Sequence, residues 1–140
     1  MTTLIADARL GLMVSDSSVS DGDRVWLGRK VYRAKGCLIG FAGDVNEAEE
    51  FLRWWKNGEV GKPPKFTGSQ ALILSAQGLC SYNVSTTPEK ITRGIEAIGS
   101  GAKAAMCAYE ALGWEDPQRA VAIVCRHDAG SRPPVRTYRL

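Results

Sequence analysis

Hydrophobic and polar positions along the chain follow two different periods. Residues 2–9 (TTLIADAR) lack helical spacing and are led by threonine and isoleucine, which predicts a strand. Gly11 predicts a turn and residues 12–16 (LMVSD) a second strand. Residues 17–24 (SSVSDGDR) have the composition of a loop. Residues 29–34 and 37–42 (CLIGFA) predict another strand pair around Lys35 and Gly36, ended by Gly43 and Asp44. The period then changes. Val45, Ala48, Phe51, Leu52 and Trp55 fall on one face of a helix, with Asp44 or Asn46 as its N-cap. Glu47, Glu49 and Glu50 put negative charge in its first turns, which suits the helix dipole. Gly58 predicts its end, and the polar, proline-rich GEVGKPPK follows as a loop.

Residues 70–76 (QALILSA) and 79–84 (LCSYNV) alternate around Gln77 and Gly78 and predict a hairpin. Residues 86–99 read as short strand and turn. Residues 101–112 predict a small-residue helix ending at Gly113. Asp116 and Pro117 open a further helix running to about Cys125, with proline in its first turn. The tail VRTYRL predicts a closing strand. Helices grouped between runs of antiparallel strands indicate an α+β layered domain, and 140 residues suffice for one core.

Composition narrows the function. The chain is 44% hydrophobic and 24% charged, a globular balance. Its net charge of +3 is spread out. The denser basic stretches, Arg24 to Lys35 and Arg132 to Arg139, interleave with strand-like residues and read as solvated faces, so no nucleic-acid partner is expected. No apolar run is long enough for a membrane span and no signal peptide is present, which points to the cytoplasm. Cys37, Cys80, Cys107 and Cys125 have neither metal nor redox spacing and read as buried free thiols. His127 is the single histidine, which excludes a multi-histidine metal site and would have to serve any Ser-His or Cys-His catalysis; the base of a hydrolase is expected elsewhere.

Candidate chemistry sits in scattered short motifs. Removal of Met1 would expose Thr2, whose hydroxyl and α-amine together supply a nucleophile and a base. That amine ordinarily titrates near pH ~8. Asp16 and Lys30 can form a pair that tunes it. In IGFAGD, residues 39–44, a strand opens through glycine into a helix, a junction whose N–H groups can hold an oxyanion. IGSGAKAA, residues 98–105, and RHDAGS, residues 126–131, each set a hydroxyl beside glycine near a helix end. Each motif alone reads equally well as a cap, a turn or a surface pair.

Taken in order, these motifs resemble the proteasome β-type peptidases, and most closely the HslV type: Thr-Thr at the start, GFAG before the first helix, and AIGSG before a later one. The resemblance runs nearly end to end. It implies the four-layer αββα sandwich of N-terminal nucleophile hydrolases. It implies Thr2 as nucleophile and amine base, Asp16 as the acid orienting Lys30, Lys30 as the tuning lysine, and Gly43 as the oxyanion N–H. Ser100 would lie beside the amine, and Asp128 and Ser131 would complete its hydrogen-bond network. Main-chain carbonyls of Cys125, Asp128 and Ser131 would offer a place for a structural monovalent or magnesium ion, with no cofactor needed for the chemistry.

The implied activity is threonine-type endopeptidase in a self-compartmentalising particle. Unfolded peptide would lie as an added strand between the Ser18 to Ser20 segment and Gly43, with Phe41 and Val45 at the first specificity pocket. Partners would be other copies in a ring or double ring and an ATP-dependent unfoldase. The alternatives are an amidohydrolase of this fold acting on a small amide, and a catalytically silent shell subunit that keeps Met1. Two departures stand out. The spacing from Asp16 to Lys30 is slightly short, and GEVGKPPKFTGS replaces a second long helix, so one outer helical layer should be reduced. Adjacent helical residues point about 100° apart. At least one of Trp54 and Trp55 is therefore expected to face outward and anchor a subunit contact.

Overall fold

The computed structural model describes residues 1–84 and 87–140. Along the chain run β1 (Leu4–Asp7), β2 (Leu12–Ser15), β3 (Ser18–Asp21), β4 (Arg24–Leu27), β5 (Val31–Ala34) and β6 (Cys37–Ala42). Helix α1 (Val45–Lys56) follows, then β7 (Gln70–Ser75), β8 (Gly78–Tyr82), β9 (Glu89–Lys90) and β10 (Ile95–Ile98). Helices α2 (Ala102–Ala111) and α3 (Pro117–His127) precede the closing β11 (Arg136–Arg139).

The strands form two main antiparallel sheets, ordered β10-β1-β2-β11 and β5-β6-β7-β8-β9. Strand alternation sorts their side chains into layers. Leu4, Ala6 and Met13 of the first sheet meet Leu38, Leu72, Leu74 and Leu79 of the second, and this core lies between the sheets. Ile5, Leu12 and Val14 point the other way and pack under α2 and α3 through Ala105, Tyr109, Val121 and Val124. On the far side of the second sheet, Ile39, Phe41, Ala71 and Ile73 pack under Ala48, Phe51 and Leu52 of α1. The order of layers is αββα. Among the described residues one outer layer has two helices and the other has α1 alone, the reduction expected from GEVGKPPKFTGS.

The local signals behave as their chemistry dictates. Asp44 caps α1 through bonds from Asn46 and Glu47 N–H groups, and Gly58 follows the helix at positive φ. Asp116 caps α3 with Pro117 in the first turn. Other readings need correction. Residues 17–24, expected as loop, form most of a separate β3–β4 hairpin with Asp21 opposite Arg24 around Gly22 and Asp23. Serine and aspartate on its exposed faces carried no apolar alternation to reveal it. The first strand is shorter than 2–9: the ladder runs from Leu4 to Asp7 and the chain turns over residues 8–11. Helix α3 continues to His127. Residue 86, the start of the segment read as strand and turn, lies outside the described residues; the remainder holds β9 and β10.

The cysteines are free but not buried as expected: Cys107 is exposed and the others are half-buried. The tryptophans are less outward than expected. Trp54 and Trp55 are both half-buried, their ring centroids 5.6 and 6.0 Å from that of Phe51. Helical side chains lean back over the preceding turn, and these rings cover apolar surface that no second helix shields. Three consecutive exposed apolar residues sit instead on β4, where Val25, Trp26 and Leu27 are 46%, 46% and 57% exposed.

Candidate active site

The site is assembled where the lead-in to β1 passes the ends of β2, β6 and α3. Lys30, just before β5, is buried and reaches three oxygens with one ammonium. Its Nζ lies 2.7 Å from Asp16 Oδ1, 3.0 Å from Thr2 Oγ1 and 2.7 Å from the Met1 carbonyl oxygen. Asp16, at the end of β2, is fully buried yet well satisfied. Its Oδ1 also accepts from the Thr3 N–H at 2.9 Å, and its Oδ2 accepts from the N–H groups of Ser18 and Arg132 at 2.9 and 3.1 Å. A buried ion pair persists when such extra bonds replace lost water. Burial pushes the Lys30 pKa down, and the bond and charge of Asp16 offset only part of that.

Thr2 is held from its other side by the start of α2. Its carbonyl accepts from the Gly101 N–H at 3.1 Å and from Ser100 Oγ at 3.4 Å. Gly101 is required by contact: a Cβ there would collide with Thr3 Oγ1. Ser131, after α3, donates its hydroxyl to Asp128 Oδ2 at 2.6 Å and lies 2.6 Å from Thr3 Oγ1. Ser131 thus meets the Thr3 hydroxyl and Asp128 stands behind it. With Met1 attached the Thr2 nitrogen is an amide, so the network expected around a free Thr2 amine is a matter for the processed chain.

A cleft opens over Thr2 and Lys30. Ser18, Val19 and Ser20 of the hairpin form one wall, Gly43, Asp44 and Val45 the other, and Tyr32, Phe41 and Ala48 also line it. The structure thus brings together Thr2, Asp16, Lys30, Ser100, Gly43, Ser18, Ser20, Phe41 and Val45. Gly43 sits at the β6–α1 junction with φ +123°, and a Cβ there would lie 2.6 Å from Ser69 Cα. Ser69 Oγ accepts from the Asp44 N–H at 2.9 Å and so steadies that junction.

Thr3, Tyr32, Ala48 and Ser69 were not anticipated from sequence. Thr3 was visible as the second threonine, and Tyr32 and Ala48 fall on the site-facing phase of their elements. Ser69 carries no signal of its own. Cys125, Asp128 and Ser131 share the turn that ends α3, where the Asp128 carbonyl accepts from the Ser131 N–H at 3.2 Å. That leaves one lone pair on the carbonyl, so the turn is compatible with a main-chain cation site. Among the described residues no cluster of His, Cys, Asp or Glu side chains is arranged to hold a metal, and no helix is long and apolar enough to cross a membrane.

No family model matches the sequence, and no curated protein sequence matches it either. Solved structures do. Eukaryotic HslV from Trypanosoma brucei is similar with a TM-score of 0.78 at 20% identity, over 98% of each chain. BPH from Thiobacillus denitrificans, solved in complex with epoxomicin, is similar with a TM-score of 0.75 at 14% identity, over 99% of this chain and 98% of that one. A second structure of the same BPH gives 0.73 at 13% identity, over 100% and 97%. The fold is therefore of the HslV type, an α+β sandwich with its layers in the order αββα.

Proposed function

We propose that this chain is a threonine-type endopeptidase of a self-compartmentalising particle, cleaving unfolded polypeptide with Thr2 as nucleophile after Met1 is removed. One observation carries the reading: a buried Lys30 ammonium, fixed by Asp16, stands 3.0 Å from Thr2 Oγ1 at the floor of a cleft.

The chemistry follows from that placement. Removal of Met1 turns the Thr2 nitrogen into a free amine. The amine takes the Thr2 hydroxyl proton, through water, as Oγ1 attacks the peptide carbonyl carbon. The Lys30 charge favours the developing alkoxide, and the Gly43 N–H stabilises the oxyanion. Collapse breaks the C–N bond, and the amine returns its proton to the departing amino group. Water then hydrolyses the ester by the same route and frees Thr2. Substrate lies extended between Ser18–Ser20 and Gly43, with its side chain against Phe41 and Val45. A monovalent or magnesium ion on the Cys125, Asp128 and Ser131 carbonyls would stiffen the end of α3.

Assembly with further copies into a ring or double ring, served by an ATP-dependent unfoldase, completes the proposal. The likeness to HslV supports it at the level of fold. A second reading, the silent shell subunit, is favoured by the bond from Lys30 to the Met1 carbonyl, since a retained methionine would hold the lysine there. Intact mass of the purified particle, with hydrolysis of unfolded casein, separates the two. A chain starting at Thr2 and active is expected; an active chain that keeps Met1 would overturn the threonine mechanism.

A further inference from the structure

Thr2 and Thr3 project to opposite sides of an extended segment, as successive strand residues must. Thr2 Oγ1 meets Lys30, while Thr3 Oγ1 meets Ser131. Thr3 is fully buried and is held by every polar atom it has. Its N–H donates to Asp16 Oδ1 at 2.9 Å, and its carbonyl accepts from the Asp16 N–H at 3.0 Å. The hydroxyl direction is settled by its neighbour. Ser131 gives its proton to Asp128 Oδ2, so Thr3 must donate to Ser131. The result is a chain of hydroxyls running from Thr3 through Ser131 to a carboxylate, each bond polarising the next.

Thr2 by contrast is gripped through its carbonyl and its hydroxyl. The backbone bonds of Thr3 join the segment to the end of β2. Only its hydroxyl joins it to the end of α3, with Gly101 closed against the same oxygen. We propose that Thr3 is a positioning residue: its hydroxyl, anchored through Ser131 to Asp128, sets where the adjacent Thr2 hydroxyl stands relative to Lys30. The inference rests on the reading of Thr2 as nucleophile. An error of about 1 Å in such placement can cost about a hundredfold in rate.

The test compares Thr3→Val, which keeps the shape and removes the donor, with Thr3→Ser, which keeps the donor, and with Ser131→Ala. All are made in the full chain, with N-termini read by intact mass. Two quantities are measured: the rate at which a peptide vinyl sulfone forms an adduct at Thr2, and amide hydrogen exchange at Gly101, whose N–H is bonded to the Thr2 carbonyl. Thr3→Val should slow adduct formation at saturating probe by about tenfold or more, with half-saturation little changed. It should also speed Gly101 exchange by about tenfold. Thr3→Ser should restore both, and Thr3→Val combined with Ser131→Ala should be no worse than the worse single change. Wild-type behaviour of Thr3→Val, or an equal loss in Thr3→Ser, overturns the proposal, the latter by showing that the residue acts through packing. A wild-type chain that forms no adduct overturns the nucleophile reading and this inference with it, and it is recognised before any substitution is made.

Discussion

Lys30 has three protons to donate and places them on Asp16, Thr2 and the Met1 carbonyl. Loss of Met1 would leave one of them facing the new amine's surroundings and keep the other two bonds. Thr2→Ala should therefore abolish hydrolysis, and Lys30→Ala should lower kcat by about 100- to 10,000-fold, the range for losing a proton-handling group. His127→Ala should change little, because His127 is exposed at the end of α3. The reverse pattern, read from peptide kinetics of the assembled protein, would reassign the base. A second buried carboxylate has a different task. Asp7, at the far end of β1, accepts from Tyr109 OH at 2.6 Å and from Arg9 Nη2 at 2.7 Å. Burial pushes its pKa up, but the bonds from Arg9 and Tyr109 together outweigh that and hold it below the ordinary range. Its stabilisation is thus full above the ordinary carboxylate range and is lost as pH falls through the lowered folded value. Tyr109→Phe should cost about 1.5–3 kcal/mol near neutral pH, the usual worth of a hydrogen bond to a charged group. Its deficit in urea midpoint should begin to shrink below pH ~4, where Asp7 protonates in the unfolded chain, and close as pH falls through the lowered folded value. A deficit that persists in acid would mean that Tyr109 acts by packing alone.

Elements with a strong local signal were legible, and those made by long-range pairing were not. The α1 start could be read from Asp44 and the acidic first turn, and the structure places the cap there. The α3 start was equally plain from Asp116 and Pro117. The β3–β4 hairpin was not, because its serines and aspartates look like loop and its pairing is set by the cleft it borders. The same division holds in the site. Thr2, Asp16 and Lys30 were found through the order of motifs, whereas Ser69 enters from the loop before β7 and nothing local marks it. Ser69 nonetheless makes Gly43 irreplaceable. Gly43→Ala would put a side chain at φ +123° and within 2.6 Å of Ser69 Cα. Strain of this kind costs about 1–3 kcal/mol. Shortening Ser69 to alanine removes the nearest atom, Oγ, but should not rescue the variant, since Cα and Cβ of residue 69 still stand 2.6 and 2.8 Å from the added Cβ. Urea denaturation of Gly43→Ala and of Gly43→Ala with Ser69→Ala should give similar losses; recovery in the double variant would place the conflict at the Ser69 hydroxyl instead.

At the scale of the whole molecule, the placement of tryptophans changes which face should contact another copy. Trp54 and Trp55 cover Phe51 and Tyr82 under the lone helix of the thin layer, with Trp54 at 6.3 Å from Tyr82. Their loss should therefore loosen the subunit itself. The β4 strand is different: every residue of it is exposed, and Val25, Trp26 and Leu27 lie in sequence on a hairpin outside both main sheets. Side chains of β4 alternate between the hairpin's two faces, so both faces carry exposed apolar surface of the kind that interaction sites use. The hairpin's first strand also walls the cleft through Ser18, Val19 and Ser20. Contact at β4 would consequently steady the substrate wall, which links assembly to activity. In sedimentation velocity, Trp26→Glu with Leu27→Glu should shift the protein toward smaller species and lower peptide hydrolysis, with thermal stability of the subunit nearly unchanged. Trp54→Ala should do the opposite, lowering thermal stability by the equivalent of about 3–5 kcal/mol at most, the range for a large aromatic, while surviving protein still assembles. If the β4 substitutions leave both sedimentation and activity as they were, the hairpin is not the contact, and a stable monomer with full activity would favour the small-amide hydrolase over the chambered peptidase.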